Sequence, residues 1–215
     1  NGSAVWFEDS QSFLIRDKFD FWQFDLKNLS APKMLTEGYG RKNNTQLTIT
    51  QIIEDPDKAS GNPMARMYGG GMELKMNEPI YFTTYNRTSK ENGLAMKEIK
   101  KKGIKKIVEG PYTFGNFMYS KGGKGKKPVF VYARGNFEEG NNLFASYDNF
   151  KTQKQLSDIN PQQREYNWGT VELVNWQTAD DIFCEGLLFK PEDFDPNKKY
   201  PVMIYFYEKN ANTLY

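Results

Sequence analysis

Histidine is absent from all 215 residues, and this narrows the chemistry open to the chain. Without an imidazole there is no common general base near neutral pH, no usual nitrogen ligand for a metal, and no base for a Ser-His-Asp arrangement. Cys184 is the only cysteine, so neither an intrachain disulfide nor a cysteine-based zinc site can form. Its place in an alternating apolar segment makes it a small packed side chain rather than a nucleophile. No cofactor and no metal are expected. The glycine-rich stretch Gly122-Gly123-Lys124-Gly125-Lys126-Lys127 invites a phosphate-binding reading, but it lacks the order Gly-x-x-x-x-Gly-Lys-Ser/Thr and precedes a strand instead of opening a helix.

Charge is more telling by distribution than by sum. The net formal charge is only +2, yet Lys97 to Lys127 holds ten lysines against Glu98 and Glu109, whereas Val171 to Tyr215 holds eight carboxylates against four lysines. The run reads as solvated turns and lysine-protected edge strands. No nucleic-acid partner is expected, because no recognised binding motif accompanies the charge. No apolar run reaches the length of a membrane span. Sequons at Asn28, Asn43 and Asn86 point to exposed loops if the chain is secreted from a glycosylating cell.

The elements that must carry any site read as β structure. Aromatic residues make up 15% of the chain within a modest 38% hydrophobic content, a balance that suits short strands and polar loops. Ser12 to Asp17, Phe21 to Leu26 and Lys33 to Thr36 read as three strands of a meander. The meander recurs: Trp22 and Leu35, Leu94 and Ile107, Leu143 and Leu156 are pairs thirteen positions apart. Pro79-Ile80-Tyr81-Phe82 stands 49 positions before Pro128-Val129-Phe130-Val131, and a period of that size with three or four strands per unit is that of β-propeller blades. The first two copies lie 72 positions apart, the excess being an inserted loop between Glu54 and Met76. Gly93 to Val108 has partial helical periodicity, but the repeat makes it two strands turning at Lys100 to Gly103.

Ile159 to Gly169 breaks the alternation and marks the expected boundary between a domain over residues 1–165 and a second over 166–215. In the latter, Val171 to Phe189 reads as an antiparallel hairpin turning at Asp180-Asp181. A proline-flanked loop follows from Lys190-Pro191 to Pro201. Val202-Met203-Ile204-Tyr205-Phe206-Tyr207 then reads as a strand covered on both faces, the opening of a mixed sheet whose body lies outside these residues.

A repeat-built β domain followed by W-x-x-A-D-D-x-x-x-x-G-x-L-x-x-P and K-K-Y-P-V-M-I-Y-F-Y resembles the prolyl oligopeptidase family of serine peptidases, in its dipeptidyl peptidase IV branch. The resemblance rests on Trp176, Asp180-Asp181, Glu185-Gly186-Leu187-Leu188, Pro191 and Lys198-Lys199-Tyr200-Pro201 through Tyr207. More loosely, it takes in Asp20-Phe21-Trp22 and Gly38-Tyr39-Gly40-Arg41-Lys42-Asn43-Asn44. It implies a mainly β chain: about three blades of a propeller, then the first strands of an α/β-hydrolase domain. It also implies a parent enzyme that cleaves short peptides, in an extracytoplasmic compartment. Tyr207 occupies the position at which the family's strand-end tyrosine points its hydroxyl at the carbonyl oxygen under attack, with Tyr205 as the rival assignment. A phenol suits that task, since it stabilises developing negative charge without titrating near neutral pH. Glu208-Lys209-Asn210 departs from the glycine-containing turns typical of the family. The Gly-x-Ser-x-Gly elbow and its acid and histidine partners are not among these residues, so the chain alone is expected to be inactive.

Two other readings compete. In one, the chain is a non-catalytic module holding a peptide or glycan on its loops. In the other, Lys97 to Lys127 binds an anionic polymer with steep salt dependence. Three blades cannot close a ring, so the outer faces of the first and last should expose apolar surface and favour association with the rest of the same protein or with another copy.

Overall fold

The structure is a computed structural model that describes residues 4–52, 73–122, 124–207 and 209–215. Its body is three four-stranded antiparallel meanders in chain order. The first comprises β1 (Val5–Trp6), β2 (Ser12–Arg16), β3 (Phe21–Asp25) and β4 (Lys33–Met34). The second comprises β5 (Thr45–Thr50), β6 (Ile80–Asn86), β7 (Asn92–Lys97) and β8 (Lys105–Gly110). The third comprises β9 (Thr113–Ser120), β10 (Val129–Gly135), β11 (Asn142–Ser146) and β12 (Lys154–Gln155). The expected mainly β chain with about three blade-like units is what the molecule has. The thirteen-residue spacing has a plain meaning: Trp22, Leu94 and Leu143 lie on the third strand of each sheet, and Leu35, Ile107 and Leu156 lie on or just after the fourth. Gly93 to Val108 is a hairpin, with Gly103 in the left-handed conformation at φ 78° in its turn. The insertion expected between Glu54 and Met76 lies mostly outside the described residues. Its end is visible at Leu74, which bridges to Phe7 and is buried.

The sheets stack face to face because each strand alternates apolar and polar residues, giving each sheet an apolar face to bury. Phe7, Leu14, Phe21 and Leu35 from the first sheet meet Leu47, Ile80 and Phe82 of the second. On the other side of the second sheet, Leu94 and Val108 meet Phe117, Phe130, Tyr132, Phe144 and Phe150 of the third. The third sheet has no further sheet beyond it among the described residues, and there Leu143, Tyr147, Leu156 and Ile159 are exposed. Leu94 and Leu143 occupy matching positions yet differ in burial, because only Leu94 has a neighbouring sheet.

A second repeat lies in the turns. The connection after the second strand of each sheet opens on an Asx residue whose side-chain oxygen accepts two backbone N–H groups. Asp17 Oδ1 accepts from Phe19 and Asp20 at 2.8 Å each. Asn86 Oδ1 accepts from Thr88 and Ser89 at 2.9 and 3.1 Å. Asn136 Oδ1 accepts from Glu138 and Glu139 at 3.0 and 2.8 Å.

Gly93 tests the tightness of the second sheet. A Cβ there would lie 2.1 Å from the Val108 carbonyl oxygen, a backbone atom that cannot step aside. Gly93→Ala is therefore expected to destabilise the chain by about 3 kcal/mol, measured as a lower urea midpoint at unchanged m-value.

Candidate functional site

The region that carries the family-like motif begins after the third sheet, past the short 3-10 helix η1 (Pro161–Glu165). β13 (Thr170–Gln177) and β14 (Phe183–Lys190) form a two-stranded antiparallel sheet in continuous register. Its turn is closed by Thr178, whose N–H donates to the Ile182 carbonyl at 3.0 Å and whose carbonyl accepts from Asp181 at 3.0 Å. Asp181 sits at φ 57°, a left-handed conformation that Asp tolerates better than most residues. Trp176 and Gly186 come together across the strands: a Cβ on Gly186 would lie 3.0 Å from the indole ring. These two motif residues thus form a packing device, a ring laid over a bare backbone.

The loop after β14 is held by its own side chains. Tyr200 and Phe194 stack with centroids 5.2 Å apart, and the Asp195 N–H donates to the Tyr200 hydroxyl at 2.9 Å. Beyond it the chain departs from expectation. Val202 to Tyr207 is not a strand, and its residues are between 65% and 94% exposed. A buried strand needs neighbours on both edges and cover on both faces. Here β13 and β14 pair only with each other, and no described residue lies beside the segment to supply either.

Tyr207 is 65% exposed and Tyr205 is 77% exposed. Tyr207 lines a shallow, open recess with Lys209, Asn210, Asn212 and Thr213. Among the described lining residues there is no serine nucleophile and no carboxylate; Lys209 is their one charged group, beside the Tyr207 hydroxyl and the side chains of Asn210, Asn212 and Thr213. Cys184 is half-buried and free, opposite Trp176 in the hairpin register. No group of three or more potential metal ligands occurs among the described residues, and no helix among them is long and apolar enough to cross a membrane.

What fixes this region is its attachment to the second sheet, which sequence reasoning missed. Lys90, in the turn between β6 and β7, is 2% exposed, and its Nζ donates to Glu185 Oε2 at 2.7 Å and to the Arg87 carbonyl at 2.8 Å. The Tyr85 hydroxyl donates to Asn212 Oδ1 at 2.9 Å. Asn212 lies in the terminal 3-10 helix η2 (Asn210–Thr213), which packs on β14 and buries Ala211 together with the following Leu214. From the third sheet, Phe137 contacts the Trp168 and Phe189 rings at 5.7 and 5.3 Å. A cleft of about 460 Å³ opens between that sheet and the linker, lined by Arg134, Asn142, Asp158, Arg164, Trp168 and others. Several of its polar groups already pair with one another or with nearby backbone: Arg164 with Asp158 at 2.9 Å, Asn142 with Ser157 and Ile159, and Trp168 with the Phe137 carbonyl.

The other motif residues meet at the joint between the first two sheets. Asp20 is fully buried and accepts from Thr36 Oγ1 at 2.7 Å, the Gly40 N–H at 2.9 Å and Arg41 Nε at 2.8 Å. Gly40 and Arg41 belong to the single-turn helix α1 (Tyr39–Lys42), whose otherwise unpaired N–H groups the carboxylate satisfies. Arg41 also pairs with Asp17, which accepts from Trp22 Nε1 at 2.9 Å. Asp20, Trp22, Gly40 and Arg41 are therefore a structural clasp and not a ligand site.

No family model matches the chain, and no curated protein matches it. Among solved structures, the chain is similar to AtxE2 isopeptidase in its apo form, at 14% identity and a TM-score of 0.47, covering 93% of this chain and 25% of that one. It is also similar to the same isopeptidase in a serine-to-alanine variant with Astexin3-dC4 bound, at 15% identity and a TM-score of 0.44, covering 85% of this chain and 31% of that one. The chain thus spans less than a third of the length of either structure.

Proposed function

We propose that the chain is a section of a serine peptidase of the prolyl oligopeptidase type, in the dipeptidyl peptidase IV branch. Residues 1–165 are propeller blades in this reading, and residues 166–215 open the α/β-hydrolase domain. The observation that carries it is the order of elements: three four-stranded meanders, then one hairpin with Trp176 laid over Gly186, then a closed loop leading to Lys198-Lys199-Tyr200-Pro201 and Tyr207. The peptide is the substrate of the whole enzyme, whose nucleophile, acid and base come from outside these residues. The exposed Val202 to Tyr207 segment becomes a strand of that enzyme's sheet, and the Tyr207 hydroxyl donates to the oxyanion.

The test is to read the coding sequence beyond Tyr215 and assay the whole protein. A downstream Gly-x-Ser-x-Gly, then an acid and a histidine, is the expected order. The whole enzyme should hydrolyse Xaa-Pro chromogenic substrates, be inactivated by a fluorophosphonate, and lose about 100-fold in kcat on Tyr207→Phe with KM little changed. The 215-residue chain alone should neither hydrolyse these substrates nor take up the fluorophosphonate. A stop codon soon after Tyr215, or a whole protein inert to both reagents, overturns the proposal and leaves the binding module.

A further inference from the structure

The lysine run that sequence reading assigned to solvated turns is gathered by the topology onto one end of the molecule. In an antiparallel meander the first and third turns lie at one end of the sheet and the second turn lies at the other. β8 ends at Gly110 and β9 begins at Thr113, so the chain enters the third sheet at the end where it left the second. The β7–β8 turn and the β9–β10 turn therefore share one end. The first brings Lys100, Lys101 and Lys102, with Lys105 and Lys106 at the start of β8. The second brings Lys121, Lys124, Lys126 and Lys127. All nine are exposed. Only Lys97 from the run is withdrawn: it is 2% exposed and pairs with Glu37 at 2.6 Å.

The charge on these two turns is only partly compensated. Lys101 pairs with Glu98 and Lys106 with Glu109, whereas among the described residues no ion pair is found for Lys100, Lys105, Lys124, Lys126 or Lys127. Glu37 reaches this end and is taken up there by Lys97 and by the Gly103 N–H of the β7–β8 turn, while the turns of the opposite end are closer to balance, setting Asp17, Asp20, Glu91, Glu138 and Glu139 against Lys18, Arg41, Lys42, Arg87 and Lys90. The β9–β10 turn is also held in shape. Gly122 at φ 74° has its backbone so close to the Lys126 carbonyl that a Cβ would lie 2.5 Å from that oxygen, and its N–H donates to Ser120 Oγ at 3.2 Å. A shaped turn loses less entropy on binding than a loose one.

We infer that this end is a docking surface for an anionic polysaccharide, sulfated or uronate-bearing, held by charge density. The residue types favour that class over nucleic acid. Neither turn contains an aromatic residue on which a base could stack, and neither contains an arginine to grip phosphate in bidentate fashion. Lysine ammonium groups act as point charges and suit closely spaced anions without a geometric code. The surface lies opposite the turn that carries Lys90 and the docked hairpin, and it does not depend on the peptidase reading.

The experiment is a titration of the 215-residue chain with heparin across a salt series. Saturable binding that weakens steeply with salt is expected. Lys124→Gln, Lys126→Gln and Lys127→Gln together should weaken it at least tenfold and make the salt dependence shallower. Lys100→Gln with Lys105→Gln, on the other turn, should act in the same direction. Lys18→Gln with Lys42→Gln, at the far end, should change affinity less than twofold. Because the substituted side chains are exposed, circular dichroism should show all variants folded. Binding that ignores salt or the triple substitution overturns the surface. Duplex or single-stranded DNA binding as tightly as heparin at equal charge concentration overturns the polysaccharide assignment in favour of nucleic acid.

Discussion

Asp20→Ala is expected to cost about 3 kcal/mol of stability and to loosen the joint between the first two sheets. The carboxylate is fully buried and receives Thr36 Oγ1, the Gly40 N–H and Arg41 Nε at 2.7 to 2.9 Å. Its removal strands the buried Thr36 hydroxyl and Gly40 N–H, whereas the part-exposed Arg41 keeps Asp17, and an unsatisfied buried donor carries its full desolvation penalty. Asparagine should rescue little, since its amide NH2 would face Arg41. The same clasp sets an acid limit. Burial raises the Asp20 pKa as the largest single influence, but the hydrogen bonds from Arg41, Thr36 and the α1 backbone together outweigh it and hold the group below its ordinary value. For Asp17, desolvation is again the largest single influence, and the N–H groups of Asp20, Trp22 and Phe19 with the Arg41 charge bring it down to about 2. A folded-state pKa below the unfolded value gives stability that is present above about pH 3.9 and is lost as pH falls through the folded value. Acid unfolding followed by circular dichroism should therefore steepen between about pH 4 and pH 2, and Asp17→Asn should flatten that region. An unchanged acid transition in both variants would show that the clasp does not hold the joint.

How much of this was legible follows from the range of each interaction. The thirteen-residue pairs could be read because they span one hairpin, where strand alternation and turn residues set the spacing locally. The Asx turns at Asp17, Asn86 and Asn136 were legible in principle as a repeated Asp or Asn closing each second strand, a signal masked by unequal loop lengths. Lys97 was misplaced among the solvated lysines, because its partner Glu37 lies 60 residues away and only sheet stacking brings them together. The same holds for Lys90 and Glu185, which are 95 residues apart. Asp20-Phe21-Trp22 and Gly38 to Asn44 were singled out as motif, but their role as a clasp emerges only when α1 folds back on the first sheet. Val202 to Tyr207 shows the opposite failure. Its residue types specify a buried strand, and types alone cannot say whether the partner strands are present.

Glu185→Ala and Lys90→Met should have unequal effects, although they remove the same ion pair. Lys90 is 2% exposed while Glu185 is 30% exposed on its side chain. Removing the carboxylate leaves an ammonium buried with only the Arg87 carbonyl as partner, and an uncompensated buried charge costs about 3 kcal/mol or more. Removing the ammonium leaves a carboxylate that can turn to water, and methionine fills the vacated space, so the loss should stay within about 1 kcal/mol. The site of the effect is also specific. The pair joins the β6–β7 turn to β14, and Tyr85 to Asn212 is the second polar tie. Amide exchange should accelerate across β13 and β14 in Glu185→Ala while the second sheet's own strands stay protected, and the double variant should recover most of the loss. Equal effects of the two single substitutions would mean that Lys90 is not confined as the structure places it. Faster exchange throughout the second sheet would make the pair a support of that sheet and not the anchor of the hairpin.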